Sequence, residues 1–169
     1  VLRYLLLFLL FLGFVNIRIS HYGNPFLSIA AQDTNVYISG AEYSLFGGRF
    51  FSSGRPPTVP LLYKVFRPEA GYEQGIMSEP AVLGSPRDLV AQPGFDKIVF
   101  VQMMLAIICW STLAIVMFSR LHNMVLKVLA VFLIMIFAYS PQIVEWDRIL
   151  LSESVSFSLF ALTLALTIE

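Results

Sequence analysis

Hydrophobic positions in this chain fall into four long runs, with polar positions collected between them in one long interval and two short ones. A helix needs about 20 mostly apolar residues to cross the roughly 30 Å core of a bilayer. Runs near 1–19, 99–119, 124–140 and 152–169 approach that length, so the pattern predicts about four transmembrane helices. The third and fourth reach it only with flanks such as Met124, Pro141 and Ser152 included, which leaves their ends soft. Arg3 ahead of the continuous apolar stretch that opens the first run is a signal-peptide feature, but no small-residue cleavage pattern follows Phe14. The first run therefore reads as a retained span.

The long interval, 20–98, has its own pattern. Val36, Tyr37, Ala41 and Leu45, with Ile38 nearby, recur at helical spacing and predict an amphipathic helix on the membrane surface, ended by Gly47 and Gly48. Asp33 or Thr34 suits its N-cap, where a side-chain oxygen accepts backbone N–H bonds and the helix dipole favours negative charge. Over 49–60, Gly54, Pro56, Pro57 and Pro60 predict a stiff, extended path. Residues 61–66 form a short apolar stretch that returns to the surface. Prolines, glycines and charges over 67–96 predict an irregular loop.

Orientation comes from the short interval 119–127, which carries Arg120 and Lys127 and no acid, as expected of a cytoplasmic turn. The loop 20–98 and the short loop 141–151 then share the extracytoplasmic face. Two carboxylates, Asp33 and Glu153, meet that same aqueous boundary. An acid within hydrocarbon costs on the order of 3 kcal/mol, so Glu153 is expected at the interface or facing a polar cavity. In the fourth run, Ser154, Ser158, Ala161 and Ala165 form a face of small residues suited to close helix contact. Burial of that face would turn Glu153 toward the outer mouth of the bundle.

Composition removes whole classes of function. The chain is 57% hydrophobic and 13% charged, with a mean hydropathy of +0.77, too apolar for an ordinary soluble domain. A formal net charge of +0 and the absence of a polybasic run leave no footprint for nucleic acid. With Cys109 as the single cysteine there is no intrachain disulfide and no Cys/His metal pattern, and His21 and His122 fall on opposite faces of the membrane. No Walker loop, HExxH or GxSxG sequence occurs.

The order of features carries a resemblance. After the first span come Asp33, Tyr37, Ala41 and Gly48 in the arrangement D-x3-Y-x3-A-x6-G, then Arg55-Pro56-Pro57-x-x-Pro60-Leu61-Leu62, and later Leu151-Ser152-Glu153-Ser154 at the head of a span. This order resembles the N-terminal portion of GT-C class membrane glycosyltransferases, the polyprenyl- or dolichyl-phosphate-sugar-dependent enzymes that include protein mannosyltransferases. Many relatives have a second acid where this chain has Thr34. The resemblance implies transfer of a hexose from a polyprenyl-phosphate carrier to a lipid, glycan or protein acceptor, outside the cytoplasm and with inversion, in a bacterial inner membrane or an ER-type membrane.

Under that resemblance Asp33 is the candidate base, because a weakly acidic acceptor needs a carboxylate within hydrogen-bond reach. Arg55, and after it Arg49, would stabilise the departing phosphate with a planar fork of donors. Glu153 is the second catalytic candidate. With Asp147 or Glu145 as rivals it would bind or orient the acceptor, or help hold magnesium or manganese through hard oxygen ligands. Tyr37 completes the candidate substrate-binding set, and no metal site is assigned. Plainer roles stand beside these: Asp33 as a helix cap, Arg55 as a headgroup contact, Tyr37 as a packing aromatic and Trp146 as an interfacial anchor. The expected fold is an all-α polytopic membrane protein, with 1–169 one transmembrane domain that is a fragment of a longer chain. A non-catalytic membrane assembly or accessory subunit is the alternative function, and part of a transporter ranks third because mid-bilayer charges are nearly absent.

Overall fold

Apolar runs free of proline satisfy their backbone groups most simply as helices, since each N–H finds a carbonyl within its own segment. The computed structural model describes residues 5, 8–9, 11–13, 15–16, 20, 28–30, 34–52, 56–66, 90–91, 95–147, 149–150 and 152–169, and among these the fold is helical. In chain order the elements are β1 (Ile29–Ala30), α1 (Thr34–Glu42), α2 (Gly48–Ser52), α3 (Thr58–Phe66), β2 (Val90–Ala91), α4 (Asp96–Arg120), α5 (Met124–Tyr139), α6 (Pro141–Val144), a 3-10 turn (Glu145–Asp147) and α7 (Ser152–Ile168). The described residues of the first apolar run, from Leu5 to Asn16, have helical backbone.

With 25 residues at about 1.5 Å each, α4 is about 37 Å long, and among the described residues it is the one helix long and apolar enough to cross a membrane. The shorter apolar helices α5 and α7 have 16 and 17 residues. Asn123 caps α5 by accepting from the backbone of Val125 at 2.8 Å, which ends the turn from α4 and sets the two helices antiparallel. Lys127 Nζ sits 4.9 Å from the centre of the Phe118 ring and fastens the same hairpin. On the other side of α4 lies α7, whose Ser154, Ser158, Ala161 and Ala165 are all buried, as the small-residue spacing predicts. Close approach follows from that face, and Trp110, Leu113, Ala138, Ile143 and Val144 complete the core between α4, α5, α6 and α7.

A second core joins the α1–α3 segment to the end of the bundle that carries Asp96 and Ser152. Tyr37, Ile38 and Ala41 of α1 and Val59 and Tyr63 of α3 pack with Phe95, Ile98, Val99, Leu150 and Val155. Helix α1 stops at Glu42, short of the expected Gly47 and Gly48, because Lys64 Nζ from α3 donates to the carbonyls of Ala41 at 3.0 Å and Tyr43 at 2.9 Å. Those are the orphan acceptors of a helix end, and a cation suits them. Val36, expected on the buried face of α1, is exposed.

The extended path expected over 49–60 is replaced in part by helix. Residues 48–52 form α2, and α3 begins at Thr58 with Pro60 in its first turn. Proline is tolerated there because the first N–H groups of a helix have no intrahelical partner. The first bond of that turn runs from Leu61 N to Pro57 O at 2.9 Å. Within the expected irregular loop, Val90–Ala91 pairs antiparallel with Ile29–Ala30.

Candidate functional site

The candidate site forms where α1 and α3 meet the heads of α4 and α7. Helix α1 places Thr34 and Tyr37 three positions apart, and therefore on one face. Thr34 Oγ1 donates to the carbonyl of Leu150 at 3.1 Å, and the Tyr37 hydroxyl donates to Ser152 Oγ at 2.8 Å. Ser152 in turn donates to Glu153 Oε2 over a longer 3.4 Å. The result is a chain of hydroxyls leading from the loop helix to the carboxylate, each polarising the next. Glu153 is partly exposed at the first turn of α7, where a negative charge is favoured by the helix dipole.

Tyr63 stands beside this chain and is wholly buried. Burial, and then the acidic groups of Tyr37 and Glu153 nearby, push its phenol well above the usual tyrosine value. Tyr63 is thus a neutral hydroxyl at any physiological pH, fixed against Phe95 edge to face at 6.2 Å.

Asp147 is 1% exposed and accepts from Ser154 Oγ at 2.6 Å, a short bond typical of a carboxylate acceptor. The bond crosses from the 3-10 turn to α7 and closes the loop that carries Ile149 and Leu150. Gln102 of α4 supports the loop from below through Nε2 to the Ile149 carbonyl at 3.3 Å.

Of the site residues expected from sequence, Tyr37, Asp147 and Glu153 gather at this end of the bundle. Arg49 lies on α2 and is exposed. Asp33 and Arg55 fall outside the described residues; Asp33 precedes Thr34, whose hydroxyl is anchored to Leu150. Among the described residues, His, Cys, Asp and Glu side chains do not gather in threes, so the hard donors present do not by themselves build a cation site. The sequence pattern gives Ser152 no role beyond its motif, gives Ser154 a packing role only, and does not single out Tyr63. Tyr63 was detectable: Val59 and Tyr63 stand at i and i+4, the spacing of a buried helical face.

Comparison with protein-family models, with curated proteins and with solved structures gave no match.

Proposed function

We propose that this chain is the N-terminal part of a polytopic membrane glycosyltransferase of the GT-C kind, which moves a sugar from a polyprenyl-phosphate carrier to an acceptor on the extracytoplasmic side. The observation that supports it is the bond from Tyr37 to Ser152. Tyr37 belongs to the D-x3-Y-x3-A-x6-G stretch and Ser152 to the Leu-Ser-Glu-Ser stretch, so two of the three features behind the resemblance meet across 115 residues of sequence. A site built from both stretches requires them to meet, and this bond brings them together.

In this reading α4, α5 and α7, together with the first apolar run, are four spans. The turn holding Arg120 and Lys127 faces the cytoplasm, and α1–α3 lie at the outer surface. Asp33 takes the proton from the acceptor hydroxyl or amine as its lone pair attacks the anomeric carbon. The bond from that carbon to the phosphate oxygen breaks, and polyprenyl phosphate leaves with the electron pair, its charge met by Arg55 or Arg49. Glu153, oriented through Ser152 and Tyr37, holds the acceptor. A magnesium or manganese ion, if bound, would draw on Glu153 with Asp147 or Glu145 as rivals, and no step here depends on one.

The test is sugar transfer by the full-length parent protein from a panel of polyprenyl-phosphate sugars, comparing native protein with Asp33→Asn at equal membrane expression. Lost turnover with retained donor binding is the expected result. Unchanged turnover in Asp33→Asn would remove the base, and absence of transfer from native protein would favour the accessory-subunit reading.

A further inference from the structure

The turn after α1 is built against the usual rule for turns. Gly47 N bonds to Ser44 O at 2.9 Å, closing a tight turn whose two central residues are Leu45 and Phe46. Turn centres ordinarily take Gly, Pro, Asn, Asp or Ser, whose backbone freedom, fixed φ or side-chain bonds to the backbone suit the turn. Here Phe46 is 100% exposed, and Phe51 on α2 is 66% exposed, with exposed Arg49 between them. Phe50, by contrast, is buried and meets Phe51 edge to face at 5.2 Å. The tip therefore turns Phe50 inward and leaves two aromatic rings exposed.

The depth of this tip is set by its neighbours. Helix α1 packs on α3, and α3 packs through Val59 and Tyr63 on Phe95, Ile98 and Val99 at the first turn of α4. If α4 crosses a bilayer, that turn lies at its boundary, and α1 and α3 lie at the same level. Along α3, Leu61 and Val65 are also exposed. Exposed phenylalanines with an arginine between them suit the headgroup region of a leaflet, where rings enter the acyl boundary and a guanidinium meets lipid phosphate.

We propose that the tip formed by Phe46 and Phe51 inserts into the outer leaflet of the membrane that α4 crosses, with Arg49 at headgroup level, and anchors α1 beside the bilayer. The inference rests on the membrane reading but not on sugar transfer. Its occupant is lipid rather than a protein partner, because the tip directly follows α1, which packs with α3 at the first turn of the helix that would span the bilayer, and what it exposes is two aromatic rings flanking an arginine. Anchoring of this kind would hold the Tyr37 hydroxyl chain within reach of a headgroup carried by the membrane.

The experiment places spin labels at Phe46→Cys, Phe51→Cys and Ile108→Cys, each in a Cys109→Ala background, in nanodiscs of phosphatidylcholine and phosphatidylglycerol. Collisions with oxygen, which concentrates in hydrocarbon, are compared with collisions with a water-soluble nickel chelate. The expected result is an oxygen-to-nickel ratio at 46 and 51 several-fold above that of a label at exposed Ser44, approaching the ratio at exposed, mid-helix Ile108. A lipid-type ratio at 108 with a water-type ratio at 46 and 51 would overturn the anchor alone. A water-type ratio at 108 would overturn it together with the membrane reading, and a label at 46 immobile and shielded from both reagents would assign the tip to a protein contact instead.

Discussion

Tyr37 shows how one hydroxyl can join distant parts of a sequence. Its hydroxyl donates to Ser152 from the buried face of α1 that also carries Thr34, and Tyr37→Phe keeps the ring while removing that bond. Thermal unfolding in detergent should show a loss of about 1 kcal/mol, the net worth of a typical hydrogen bond. Ser154→Ala should cost more, about 1.5–3 kcal/mol, because it takes a donor from the buried Asp147 carboxylate. Tyr63 makes a prediction in pH. Its phenol is raised in the folded state, whereas in the unfolded chain it ionises near the ordinary value of about 10. Below that value both states keep the proton and the group contributes no pH dependence. As pH rises beyond it, the unfolded state loses a proton that the folded state retains, so stability falls, with a slope approaching 1.4 kcal/mol per unit, or about that. Unfolding curves collected between pH 9 and about pH 11 should show this decline in native protein and a shallower one in Tyr63→Phe.

At the level of elements, one close contact of a small residue sets how α1 and α3 sit. Gly40 on α1 faces Pro60 on α3, and a Cβ there would stand 3.2 Å from the proline ring. Gly40→Val should push the two helices apart and lower stability by about 1–3 kcal/mol, read from the midpoint of thermal unfolding. The long helices were legible in the sequence because their cause is local: α4, α5 and α7 end within about three residues of the runs that predict them, and the small-residue face of α7 is buried as its spacing requires. The ends of α1 and α3 were not legible for the opposite reason. Lys64 closes α1 from a different helix, and Pro60 occupies a first turn that sequence alone reads as a break. The pairing of Ile29–Ala30 with Val90–Ala91 joins segments 60 residues apart and leaves no periodic trace in so short a stretch. Within the site, Glu153 was readable as an acid at a boundary, but its link through Ser152 to Tyr37 depends on tertiary contact.

For the molecule as a whole, the arrangement puts the candidate-site residues at one end of an apolar bundle and the basic turn at the other. Thr34, Tyr37, Asp147, Ser152 and Glu153 lie at the end of α4 that begins with Asp96, while Arg120, His122 and Lys127 lie at the other. If the proposed sidedness holds, a membrane-impermeant maleimide applied to intact cells should label Ser44→Cys and leave His122→Cys unlabelled until the cells are opened, both in a Cys109→Ala background. Reversed labelling would invert the topology, and with it the side on which transfer is proposed. The central claim is that α1 and the head of α7 form one catalytic site, and a double-mutant cycle tests it most directly: sugar transfer by the full-length protein with Tyr37→Phe, Glu153→Gln and both together. The account predicts that each single change lowers turnover and that the pair loses clearly less than the product of the two losses, since Tyr37 acts through Glu153. Independent, multiplicative losses, or unaltered turnover in Glu153→Gln, would contradict it.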